Sequence, residues 1–154
     1  ILFFGPVGVL GSYILQSKSL NMMILLPSLS IGFLAAGVLN LNNMRDYESD
    51  KKAGKMTLAI KIGIFNARIY QILLVFSSIG VAVLFMFLNK TTLYLNFLFL
   101  VFTPSLVFGL YQMWKARSPK EFDVLLKPTA IICVLFAISI GLGLLLDSNK
   151  TLIP

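Results

Sequence analysis

The sequence predicts an all-α fold, a polytopic bundle of transmembrane helices, and three observations predict it. Hydrophobic residues fill 58% of the 154 positions and charged residues only 12%, with a mean hydropathy of +0.90. Its apolar runs approach or reach the ~20 residues that cross ~30 Å of hydrocarbon, a composition outside the range of water-soluble domains. Short polar breaks at residues 17–21 and 89–92 leave room only for antiparallel neighbours.

Five spans follow in order. The first, about residues 1–16, is apolar but short, and it starts without an initiator methionine or a polar lead-in, so it reads as a span cut near its start. It lacks the basic n-region and cleavage site of a signal peptide. The others run over about 22–44, 66–88, 93–114 and 128–146, all in one domain covering 1–154. Pro27 and Pro104 are expected to kink the second and fourth spans, and Pro128 to sit in the first turn of the fifth. Gly32, Ala35 and Ala36 are small enough to let a neighbouring backbone approach, and Gly141 and Gly143 read as ordinary helix packing.

Charge orients the bundle. Nine of the 13 Lys and Arg residues lie in the two longer connectors, about 45–65 and 115–127, whereas the opposite face holds Lys18, Lys90 and Lys150. The positive-inside rule therefore predicts both longer connectors on the cytoplasmic side of the cell inner (plasma) membrane and the C-terminus outside. A formal net charge of +7 then calls for no nucleic acid, because a basic rim suits the anionic headgroups of membrane lipid or a phosphate-bearing substrate. There is no histidine, and the single cysteine, Cys133, lies mid-span. That excludes a His/Cys metal site, a disulfide framework and histidine acid–base catalysis, so any metal must be held by oxygen.

The connector after the second span concentrates the polar chemistry. On a continued helix, at about 100° per residue, Asn42, Asn43, Asp46 and Asp50 share one face, while Arg45 and Glu48 point away from it. Carboxylates one turn apart repel unless a cation lies between them. Mg2+ suits the position: it takes one or two carboxylates, keeps waters, and completes its shell with substrate phosphates. Lys51, Lys52 and Lys55 follow at once and offer charge to phosphate oxygens. A D-x-x-x-D spacing also arises by chance, and Glu48 reads as a solvated charge.

Residues 42–63, NNMRDYESDKKAGKMTLAIKIG, closely resemble the second aspartate-rich motif of the UbiA-type intramembrane prenyltransferases. The form N-N-x-R-D-x-x-x-D, then A-G-K-x-T-L-A and a closing I-G, is most similar to the branch that prenylates 1,4-dihydroxy-2-naphthoate in menaquinone synthesis. The resemblance implies a nine-helix bundle with one motif after the second helix and another after the sixth. The present spans would then be helices five to nine, in the orientation that the charges indicate. The first motif, N-D-x-x-D, is absent from the chain, so by itself the chain is expected to lack half the metal site and to be inactive.

The same resemblance implies a reaction. A polyprenyl diphosphate held by Mg2+ ionises at its allylic C–O bond, and the naphthoate ring captures the prenyl cation with loss of its carboxyl group, giving demethylmenaquinone. Asp46 and Asp50 are the implied catalytic metal ligands, supported by Asn42 and Asn43; Arg45, Lys51 and Lys55 are candidates for diphosphate or acceptor contacts. Two lesser readings are prenyl transfer to another aromatic acceptor such as 4-hydroxybenzoate, and a cation-coupled transporter, which would more often place its carboxylates near mid-membrane. A non-catalytic membrane subunit would have no use for paired aspartates.

Overall fold

The computed structural model describes residues 1–18, 21–89 and 94–148, and these contain helices and turns but no strand. Lys90, Lys150, the start of the fourth span at Leu93, and most of the two short connectors lie outside the described residues. A π-helix, Phe3–Leu10, runs into α1 (Gly11–Ser17), which Lys18 closes in a left-handed conformation. After a 3-10 turn at Met22–Ile24 come α2 (Leu25–Arg45), the short α3 (Tyr47–Lys52) and α4 (Leu58–Leu88). A 3-10 helix, Tyr94–Phe102, leads into α5 (Thr103–Lys115), and α6 (Pro119–Ser148) follows.

Among the described residues, four stretches are long and apolar enough to cross a membrane: Met22–Arg45, Leu58–Leu88, Phe97–Lys115 and Pro119–Leu146. The chain is a multi-pass membrane protein. The expected first span is helical from Phe3 to Ser17, but at 1.5 Å per residue this is only about 22 Å, short of the ~30 Å hydrocarbon thickness.

Local signals explain where the boundaries differ from the expected spans. Helix α6 begins nine residues before Pro128 because Glu121 folds back over the segment that precedes the helix. The Ser118 hydroxyl donates to Glu121 Oε1 at 3.0 Å, the other carboxylate oxygen accepts the Arg117 N–H at 2.7 Å, and Pro119 fills the first helical position. Pro128 is therefore inside the helix, and the backbone carbonyl deprived of its usual donor belongs to the exposed Val124. Pro27 and Pro104 instead lie at helix starts, where 3-10 geometry gives way to α-helix. The sharp irregularity falls at Gly63, whose φ of 80° and ψ of 157° interrupt α4 and separate its first turn from the long membrane segment.

Helix α2 is the centre of the bundle, packed against α4, α6 and the N-terminal π-helix. Its contact faces are built from small and polar side chains. Ser30 and Ser78 bond reciprocally, each hydroxyl donating to the other's carbonyl at 2.8 Å. About two turns further on, Gly37 leaves room for Gln71, and the Asn40 amide donates to Ala67 O and to Gln71 Oε1, both at 2.9 Å. Two apolar cores flank this seam. One surrounds Phe85, Phe99 and Phe136, with the last two rings edge-on at 5.1 Å; the other gathers Leu41, Met44, Ala59, Ala67, Met113 and Phe122 beneath the charged end.

Gly32, expected to permit close approach, meets Gly5 of the π-helix: a Cβ on Gly32 would lie 2.7 Å from Ile1 O and 3.0 Å from Gly5 Cα. Both are backbone atoms, which cannot rotate away. Gly32→Ala is therefore expected to lower the thermal unfolding temperature in detergent, by an overpacking cost of about 1–3 kcal/mol. Gly80→Ala, whose Cβ would meet nothing within 4 Å, should leave that temperature unchanged or raise it.

Candidate active site

The site stands where α2 ends. Asp46 has φ −89° and ψ 6°, so the helix is interrupted there before α3 resumes at Tyr47. The hydrogen-bond ladder nevertheless continues, with Asp46 N donating to Asn42 O at 3.0 Å and Asp50 N to Asp46 O at 2.8 Å. The one-turn spacing of Asn42, Asp46 and Asp50 thus survives the interruption.

A C-terminal turn then brings a lysine to the second carboxylate. Gly54, at φ 70°, follows α3 in the left-handed conformation; its N–H reaches Lys51 O at 3.3 Å and the Lys55 N–H reaches Asp50 O at 2.9 Å. This is a Schellman motif, and only glycine adopts its key conformation without a Cβ penalty. As a result the Lys55 ammonium lies 3.0 Å from Asp50 Oδ1. Asp50 itself is buried at 8% exposure, whereas the Lys55 side chain is mostly in solvent.

Asp46 is held differently. Arg45, which an ideal helix would aim away from the carboxylates, turns back and grips both oxygens of Asp46: Nε to Oδ1 at 2.8 Å and Nη2 to Oδ2 at 3.0 Å. The interruption at Asp46 and the reach of the arginine side chain overturn the expected orientation. This bidentate pairing holds the Asp46 carboxyl below its ordinary 3.8; partial burial opposes the shift, and the charges of Arg45 and Lys55 add to it. A depressed pKa contributes stability above the ordinary value, and that contribution disappears only as pH falls below about 4. Asp46 is ionised throughout the neutral range.

The remaining candidates are close by. Asn42 and Asn43 are half-buried, and neither side chain makes a hydrogen bond among the described residues. Lys51, Lys52 and Glu48 are exposed and form no ion pair among the described residues. A cleft of about 690 Å³ opens between this segment and the start of α6, lined by Arg45, Asp46, Glu48, Lys52, Lys120 and Asp123, among others. The expected cytoplasmic connector at 115–127 thus supplies a helical wall beside the motif.

Several positioning groups escaped the sequence reading. Asn40 and Gln71 are each 2% exposed and tie α2 to α4 just below the site; an amide within an apolar span is the signal that could have found them. Arg68 donates to Ala116 O at 2.6 Å and lies 5.9 Å over the Phe122 ring, so it joins α4 to the α5–α6 turn. The motif and that turn consequently share one end of the bundle.

The donors available to a metal are oxygens alone. No group of three His, Cys, Asp or Glu side chains clusters among the described residues. Two carboxylates one turn apart, preceded by the adjacent amides Asn42 and Asn43, are oxygen donors of the kind that suit a hard divalent ion whose shell is completed by water and phosphate, and do not fit a thiolate or imidazole metal.

Comparison with known proteins follows the same direction. The UbiA prenyltransferase family matches residues 1–127. The 1,4-dihydroxy-2-naphthoate octaprenyltransferase of Haemophilus influenzae is 37% identical over 147 residues, covering 95% of this chain and 47% of that protein. Its namesake in Escherichia coli is 34% identical over 147 residues, covering 96% and 47%. A human protein named UbiA prenyltransferase domain-containing protein 1 is 35% identical over 86 residues, covering 52% and 25%. The chain spans about half the length of the two bacterial relatives. No solved structure matches it. With its aspartate segment, its helical bundle and a family match that takes in most of its length, the chain belongs to the UbiA prenyltransferase family.

Proposed function

We propose that the protein transfers a polyprenyl group from polyprenyl diphosphate to 1,4-dihydroxy-2-naphthoate, with decarboxylation, giving demethylmenaquinone. The observation that carries this reading is the pair Asp46 and Asp50, one turn apart at the charged end of an apolar bundle, each already matched to a cation. Relatives named for that reaction, 34–37% identical over nearly the whole chain, support the choice of acceptor.

Asp46 and Asp50 would hold Mg2+, with Asn42 and Asn43 as direct or water-mediated supports. The bound ion would offset negative charge on the diphosphate as it leaves. The chain's own residues do the rest. Lys51 and Lys55, with Arg45, keep positive charge beside the leaving group. The apolar packing beneath them, from Leu41, Met44 and Phe122, excludes water that would otherwise quench an allylic cation. The acceptor ring is the nucleophile, so no histidine base is required. The site faces the cytoplasm in a plasma-membrane protein, as the basic connectors indicate.

Full-length protein in detergent or bilayer is expected to form the prenylated product and release diphosphate and carbon dioxide without a membrane gradient. Residues 1–154 alone should be inactive, because one motif supplies too few ligands. Asp46→Asn or Asp50→Asn should reduce kcat/KM by orders of magnitude with folding retained, and Glu48→Gln should have little effect. Near-normal turnover of the Asp46 variant at saturating Mg2+ would rule out the assignment.

Sidedness is checked separately. In a Cys133→Ser background, single cysteines at Lys55 and Ser118 should react with an impermeant thiol reagent from the cytoplasmic side and one at Asn89 from the other. Labelling of positions 55 and 89 from the same face would contradict the orientation.

A further inference from the structure

The third nitrogen of Arg45 has a partner that neither the motif nor the fold class anticipates. While Nε and Nη2 bind Asp46, Nη1 lies 2.9 Å from Oδ1 of Asp123, near the start of α6. One guanidinium thereby sits between two carboxylates, and all three of its nitrogens are engaged.

Asp123 is mostly exposed, but its backbone is not free to drift. Its neighbour Phe122 is 4% exposed and packs in the same core as Leu41 and Met44 of α2. The Arg68 bond to Ala116 O holds the preceding turn, and the bonds of Glu121 to Ser118 Oγ and the Arg117 N–H fix where the helix begins. The α6 start therefore presents the Asp123 carboxylate to Arg45 from an anchored turn. The other charged side chains lining the cleft, Glu48, Lys52 and Lys120, make no ion pair among the described residues.

We propose that Asp123 is a positioning residue of the site: by sharing Arg45, it weakens the hold of that guanidinium on Asp46 and so leaves the Asp46 carboxylate available to a divalent cation. The proposal rests on the metal-dependent reading above. If Asp123 is neutralised, Arg45 is balanced by Asp46 alone, and an incoming cation must displace an undivided, bidentate ion pair. An exposed pair contributes little to folding stability, so the effect should be read in ion binding and not in unfolding.

The test uses the full-length protein without substrate, with Mn2+ as the probe ion and free Mn2+ measured by electron paramagnetic resonance. Asp123→Asn is expected to weaken Mn2+ binding roughly three- to fivefold, the scale of one shared surface ion pair, with an unchanged thermal unfolding profile. Asp123→Glu should restore most of the affinity. In an Arg45→Gln background, Asp123→Asn should have no further effect, because Asp123 acts through Arg45. Unchanged Mn2+ affinity in Asp123→Asn would overturn the proposal, as would an equal loss in the Arg45→Gln background, which would make Asp123 an independent ligand. If binding responds as expected but the protein forms no prenylated product, the positioning role stands and the assigned reaction falls.

Discussion

Helices in a membrane gain no hydrophobic advantage from leaving lipid for one another, so what holds them is close packing and polar bonds. The seam between α2 and α4 meets this constraint along its length. Ser30 with Ser78, Gly37 with Gln71, and Asn40 with Ala67 O follow one another toward the charged end. Each interhelical hydrogen bond is worth only about 0.6 kcal/mol in such a setting. Their value is as much positional as energetic, since a buried amide with a wrong register would lose its partners outright. The last of them lies six positions before Asp46.

From that seam the site is assembled in two directions. Through Ala59 and Ala67, both fully buried, α4 closes under the end of α2. Through Arg68, the same helix holds the α5–α6 turn, and through Phe122 that turn packs back on α2. The aspartate segment thus rests on a closed circuit of helix contacts instead of hanging as a loop. Its charges are balanced locally, Asp46 by Arg45 and Asp50 by Lys55. Two carboxylates at a membrane edge would otherwise repel and be costly to hold there. Pairing each with a flexible cation offsets that repulsion.

Much of this was legible in the residues. The length and hydropathy of the apolar runs indicated membrane-spanning helices, and the pattern in residues 42–63 indicated the family. Its two glycines have a plain physical use: Gly54 and Gly63 both take positive φ, one to fold Lys55 onto Asp50 and the other to break α4. The start of α6 was also written locally, in Ser118, Pro119 and Glu121, but the apolar run drew attention to Pro128. Hydropathy locates what can sit in lipid, whereas capping locates where a helix begins, and here the two differ by more than two turns.

Arg45 marks the boundary between the two kinds of information. An ideal helix placed it away from the carboxylates, and a single residue with φ −89° and ψ 6° was enough to reverse its role. Asp123 lies 78 positions away in the chain and had no local signal linking it to the motif. By itself the sequence determined the membrane fold class, the oxygen-only chemistry of the polar segment and the family, because composition, periodicity and short motifs are local properties. Only the tertiary structure decided that Arg45 also meets Asp123 and which helix walls the site, because those depend on the crossing of α2 with α4 and on the turn that returns α6 to it.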